Sequence, residues 1–232
     1  MVKTIRLPRT GSHFPSHFPS HFALRLFYYV GGLLILAFGV ILATLSGLGI
    51  APINSMPYVL SKISGWKLGT CVFSVYALFV AAQIALERKC FLMVDIGQLL
   101  VSALFSTFVD LARSILGSSA VSGYPLRLLL LLGSILISAL GVAMYVGAGL
   151  INMPADGFVQ TIIQKRQGWQ FGSVKQVLDC SAVVVSVTMS LLFLGHMDGI
   201  REGTILTALL LGRLVRLFQT HLPGLRTIAG RS

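Results

Sequence analysis

Gly47-Leu-Gly-Ile-Ala-Pro-Ile-Asn-Ser-Met-Pro57 and, beginning 102 residues later, Gly149-Leu-Ile-Asn-Met-Pro-Ala-Asp-Gly157 are two versions of one signal. Each follows a long apolar run and reads as a helix end, a break, and the start of a short second helix. Glycine takes up the left-handed backbone that closes a helix, while proline cannot continue one but suits the first turn of the next. Asn54, Ser55 and Asp156 are residue types that cap helix starts. The pieces that follow, Tyr58 to Ile63 and Phe158 to Gln164, are too short to cross a bilayer.

Working outward, the two motifs sit inside a longer duplication. At a register near 102, Arg25 matches Arg127, Gly31 matches Gly133, Gly39 matches Gly141 and Gly47 matches Gly149. Pro52 then meets Pro154, Asn54 meets Asp156 and Ser55 meets Gly157. One inserted residue later Trp66 meets Trp169, Gly69 meets Gly172 and Asp95 meets Asp198. Rare residues falling in order with four glycines point to two copies of one unit. The expected halves are 23–122 and 123–222, flanked by a tail over 1–22 and a short tail over 223–232.

The solvent of both halves is lipid. Of 232 residues, 55% are hydrophobic and only 11% charged, with a mean hydropathy of +0.86. Such a chain must satisfy its backbone groups internally, in helices or a closed barrel. The apolar runs reach about 18 to 25 residues without period-two alternation, the length a helix needs to span hydrocarbon. The expected fold is therefore all-α, a polytopic transmembrane bundle with six spans: Leu24 to Ser46, Gly69 to Leu86, Phe91 to Leu116, Pro125 to Ala148, Gly172 to Leu194 and Gly203 to Leu222. Three spans per half is an odd number. The second half then enters the membrane from the opposite side, an inverted repeat with a short broken helix after the first span of each half.

The formal charge of +11 and the 18 Lys and Arg could suggest nucleic-acid binding. The basic residues are instead scattered through short loops, where they read as topology signals. With the amino terminus inside, 13 lie on inner segments, and only Lys62, Lys67, Arg113, Arg127 and Arg201 lie outside. Both termini are expected in the cytoplasm. The first residues carry Lys3, Arg6, Arg9 and a tandem SHFP repeat whose prolines oppose a helix, so a low-complexity tail is favoured over a histidine metal site. Cys71, Cys90 and Cys180 suggest neither a disulfide framework nor a metal motif. No cofactor or metal is expected.

Ionisable residues inside spans are a second clue, because each costs about 2.5–3.5 kcal/mol on insertion scales unless paired or hydrated. Arg213 sits ten residues past Gly203, about 15 Å deep at ~1.5 Å per residue, and Asp110 takes the equivalent place in the third span. They could pair or flank a polar path; equally, Arg213 could snorkel and Asp110 pair with Arg113. Lys175 and Asp179, one turn apart, read as a local ion pair. Walker, zincin, nucleophile-elbow and CxxC patterns are absent.

The arrangement of Arg25, Gly31-Gly32, Gly39, Gly47-Leu-Gly-Ile-Ala-Pro-Ile-Asn54 and Gly65-Trp-Lys-Leu-Gly69 resembles the YczE/YyaS/YitT group of bacterial membrane proteins, over roughly Leu24 to His221. The resemblance implies a multi-pass protein of the bacterial cytoplasmic membrane and supplies no catalytic residue or substrate. An acid sought in the first motif is Asn54 here, while Asp156 fills the second.

The expected function is a small secondary transporter or permease. Pro52, Asn54, Ser55, Pro154, Asp156 and Gly157 would lie near a central site, with Asp110 or Arg213 contributing charge and an anionic solute favoured if Arg213 lines the path. Partners are then the lipid bilayer, a small-molecule substrate and a second copy in a homo-oligomer, with no nucleic acid. The alternatives are a non-transporting accessory protein that binds a partner protein, and a membrane-embedded enzyme.

Overall fold

The computed structural model describes residues 22–87, 93–117, 121–166 and 168–221. The SHFP tail, Arg88, Lys89, Cys90, the side chain of Asp95 and the segment after His221 lie outside them. The described residues form helices and no strands: α1 (Phe22–Ser46), α2 (Pro52–Ser64), α3 (Leu68–Glu87), α4 (Met93–Leu116), α5 (Tyr124–Ala148), α6 (Pro154–Lys165), α7 (Phe171–Leu194) and α8 (Glu202–His221). Five of them, α1, α3, α4 from Ile96, α5 and α7, are long and apolar enough to cross a membrane. The sixth expected span is α8. It has the length, but Glu202, Arg213, Arg216 and its threonines leave it short of that apolarity.

Both motifs fold as the glycines and prolines require. α1 ends one residue before Gly47 and α5 one residue before Gly149, each glycine at a left-handed φ of 63°. Pro52 and Pro154 then open α2 and α6 at the first helical turn. The expected side-chain caps do not form. Ala51 and Met153 occupy the cap positions without a side-chain bond, because neither side chain carries an oxygen that could accept from the second or third helical N–H. Asn54 and Asp156 stand three residues further in.

α1 and α5 form the centre of the bundle, and they cross antiparallel. Tyr29 meets Ile151 and Tyr145, Gly32 meets Tyr145 and Gly141, and Gly39 meets Ser138, so contacts descend α5 as they ascend α1. A Cβ on Gly39 would lie 2.8 Å from the Ser138 nitrogen, and one on Gly141 2.6 Å from the Leu36 nitrogen. At the register of 102 these are the same contact seen from each half. Small residues here let backbones touch where lipid offers no hydrophobic gain from association.

The remaining helices pair by the same exchange. α2 packs on α7 and α6 on α3; α1 packs on α4 and α5 on α8; α2 packs on α3 and α6 on α7. Ser55 on α2 hydrogen-bonds Ser186 on α7 at 2.9 Å, while Gly157 on α6 rests against Gln83 on α3. Ser186 stands 103 residues after Gln83, the register of the Trp66–Trp169 match. One pairing breaks the rule, because α3 packs closely on α4 but α7 has no comparable packing on α8. Gly69 is tight against the Ser106 carbonyl and the Asp110 side chain, whereas a Cβ on the equivalent Gly172 meets open space.

The two glycines should therefore respond unequally. Gly69→Ala is expected to cost about 1–3 kcal/mol through overpacking, and Gly172→Ala to stay within about 0.5 kcal/mol of the parent. Thermal unfolding in one mild detergent reads both. Equal losses at the two positions would contradict the asymmetric packing.

Candidate functional site

Where the two short helices begin, the bundle encloses a cavity of about 160 Å³. Its walls come from both halves: Leu36 and Val40 of α1, Ser134 and Ile135 of α5, and Asn54 and Asp156 from the third positions of α2 and α6. The wall is largely apolar. Its polar groups are Asn54, Tyr76, Tyr145, Asp156 and Lys175, with the hydroxyls of Ser134, Ser138 and Thr207.

The first five form two unlike sets. Asp156 Oδ1 lies 2.9 Å from Lys175 Nζ, and its Oδ2 accepts from the Tyr145 hydroxyl at 3.3 Å. Asp179, one turn along α7, approaches the same ammonium at 3.8 Å. The equivalent region of the first half is neutral: Tyr76 points its hydroxyl at the Asn54 side-chain oxygen across 3.5 Å, a long contact. At the register of 103, Tyr76 corresponds to Asp179 and Val72 to Lys175. The second half thus carries all the formal charge of the site, two carboxylates and one ammonium.

The residues singled out from sequence divide into three groups. Asn54 and Asp156 line the cavity. Ser55, Pro154 and Gly157 stand beside it and hold the short helices: Ser55 bonds Ser186, the Pro154 carbonyl accepts from Gln83 Nε2 at 3.1 Å, and Gly157 leaves room for Gln83 and Gln98. Pro52 is half-buried at the start of α2, and its carbonyl accepts from Ser55 at 2.6 Å. Asp110 and Arg213 do not line the cavity, and no ion pair joins them. The Asp110 carboxylate accepts the Gly69 N–H at 2.8 Å, and Arg213 is exposed on α8.

Lys175, Tyr76 and Tyr145, with the hydroxyls of Ser134, Ser138 and Thr207, are polar lining residues that escaped the sequence reading. Lys175 looked satisfied by Asp179 at i+4, which concealed the shorter bond to Asp156 on another helix. Tyr76 and Tyr145 fall among many aromatics in apolar runs and carry no distinguishing local pattern. Gln83 and Gln98 were legible in principle, since a buried amide is costly unless its donors and acceptors are met. Their side chains bond each other at 3.0 Å.

Comparison with known proteins agrees with the family-level resemblance. A model described as a family of unknown function, DUF6198, matches residues 23–220. The chain is 33% identical over 195 residues to the uncharacterized membrane protein YczE of Bacillus subtilis (strain 168), across 83% of this chain and 84% of the relative. No solved structure matches it.

A double-mutant cycle tests whether Asp156 and Lys175 act as one unit. Asp156→Asn and Lys175→Met should each destabilise the protein, and the pair together should cost less than the two losses added. The expected interaction is about 0.5–3 kcal/mol. Strict additivity in thermal melts of the four proteins would mean that the pair is not coupled.

Proposed function

The chain belongs to the DUF6198 family, and we propose that this multi-pass membrane protein is a small secondary transporter or permease built as an inverted repeat around the central cavity. One observation carries the reading: the two broken-helix motifs, 102 residues apart in sequence, deliver Asn54 and Asp156 to the same cavity. Paired interrupted segments that meet at the interface of two repeats are how transporters of this kind build a solute site.

Support for the repeat comes from the antiparallel crossing of α1 and α5 and from helix pairings that map onto themselves when the halves are exchanged. α8 supplies the sixth crossing in this reading. The single break in that exchange also fits the function. α4 is latched to α3 through Asp110 and Gly69, but Arg213, the counterpart of Asp110, has only donors and cannot accept the Gly172 N–H. α7 and α8 are left apart, and an asymmetry of this kind between halves is what separates a state open to one side from its opposite.

The lining favours a small solute with an apolar body and a head that both donates and accepts hydrogen bonds. A volume near 160 Å³ is below the ~300–1,000 Å³ of clefts for drug-sized ligands. Preference for an anion rested on Arg213, which stands away from the cavity, so it is not part of this proposal. The distribution of Lys and Arg supports an orientation with both termini inside, and the likeness to a Bacillus subtilis membrane protein supports a bacterial cytoplasmic-membrane location.

Single cysteines test the proposal. Asn54→Cys and Asp156→Cys, each in a background without Cys71, Cys90 and Cys180, are probed with impermeant thiol reagents in right-side-out and inverted vesicles. Both positions should label from the same side in any one state, and the labelled side should change when a membrane potential or pH gradient is imposed. Labelling of position 54 from one side and 156 only from the other, under all conditions, would leave two separate surface motifs and no shared site.

A further inference from the structure

A second depression, of about 560 Å³, opens where α2 ends, α3 begins and α4 ends. Lys62, Lys67 and Arg113 line it together with Trp66 and Asp110. These are three of the five Lys and Arg residues on the basic-poor side of the bundle, drawn from two separate segments of the chain. Cations on that side oppose the charge rule that orients membrane proteins, and gathering them around one hollow adds mutual repulsion.

The nearby acids offset this charge only in part, two carboxylates standing against three cations. The Asp110 carboxylate is engaged by the Gly69 N–H in the first turn of α3. Asp198 lies 3.9 Å from Lys62, a loose and exposed contact, and Lys62 also stands 5.5 Å from the Tyr58 ring. Burial and the Asp198 carboxylate push the Tyr58 phenol up to about 12, with Arg113 near enough to pull against them. The side chains of Lys67 and Arg113 have no partner among the described residues. The amino-terminal end of α3 adds positive potential to the same hollow, set against the carboxy-terminal ends of α2 and α4. Trp66, 60% exposed, stands on the wall with its ring free, as tryptophan does at a membrane–water interface.

We infer that this hollow is an anion site for a phosphate group, held by Lys67 and Arg113 with help from Lys62, separate from the central cavity. Arg113 supplies the planar fork that matches phosphate oxygens, and Lys67 a mobile point charge. The group can be the headgroup phosphate of an anionic lipid or free phosphate in solution. Both share the recognition chemistry, and the volume admits either.

The test uses the full chain in mild detergent and reads its thermal unfolding. Phosphatidylglycerol is titrated against phosphatidylcholine, and inorganic phosphate against chloride at equal ionic strength. Stabilisation by phosphatidylglycerol alone identifies a lipid headgroup site, and stabilisation by phosphate identifies a site for the free oxyanion. Lys67→Gln with Arg113→Gln should weaken the responding ligand at least tenfold, while Arg216→Gln, which removes one charge from exposed α8 as Lys67→Gln alone removes one from the hollow, leaves it unchanged. Lys67→Gln alone, at an exposed position, serves if the double variant does not fold, and should weaken binding severalfold. No stabilisation by any phosphate-bearing probe, or equal weakening by Arg216→Gln, would overturn the inference.

Discussion

A helix interrupted among apolar neighbours leaves N–H and C=O groups with no water to bind, each costing several kcal/mol if unmet. This chain interrupts two. In both cases the opposite half supplies partners. The Leu48 carbonyl accepts from Gly203 N–H and Ile50 N–H donates to the Gly199 carbonyl, so the first break is tied to the loop before α8. The Tyr29 hydroxyl donates to the Ile151 carbonyl and the Gln83 amide to Pro154, so the second break is tied to α1 and α3. Each break is hydrogen-bonded to residues of the other half. The exchange of short helices, α2 onto α7 and α6 onto α3, accompanies those bonds.

The same interlock creates the cavity. Short helices that enter between long ones cannot fill the space a full span would fill, and their first turns point inward. The residues at the third positions, Asn54 and Asp156, then become wall residues and not surface caps. The two breaks place residues of unlike chemistry around the cavity. One keeps an amide and a phenol; the other has a carboxylate held by lysine and tyrosine. A charged group in such surroundings is costly unless paired, and Lys175 and Tyr145 supply the partners of Asp156.

Much of the fold was legible because lipid restricts the options. The lengths of the apolar runs set the helices to within two or three residues, and α1 and α5 stop where Gly47 and Gly149 stand. The candidate site was legible only in part. Asn54 and Asp156 were found through the repeat, but Lys175 was assigned to its sequence neighbour Asp179, since spacing along one helix says nothing about a partner on another. Arg213 stood out for the opposite reason: depth along a helix was readable, while the face it occupies was not.

The sequence by itself determined the helical membrane class and the two break points, because each rests on local chemistry: apolar length, glycine at a left-handed turn, proline at a first turn. Only the tertiary structure decided that the two breaks share one cavity, that Lys175 closes on Asp156, and that α4 is latched to α3 while α8 stands off α7. Those outcomes depend on which helix faces which, and packing across the bundle sets that at distances no sequence period encodes.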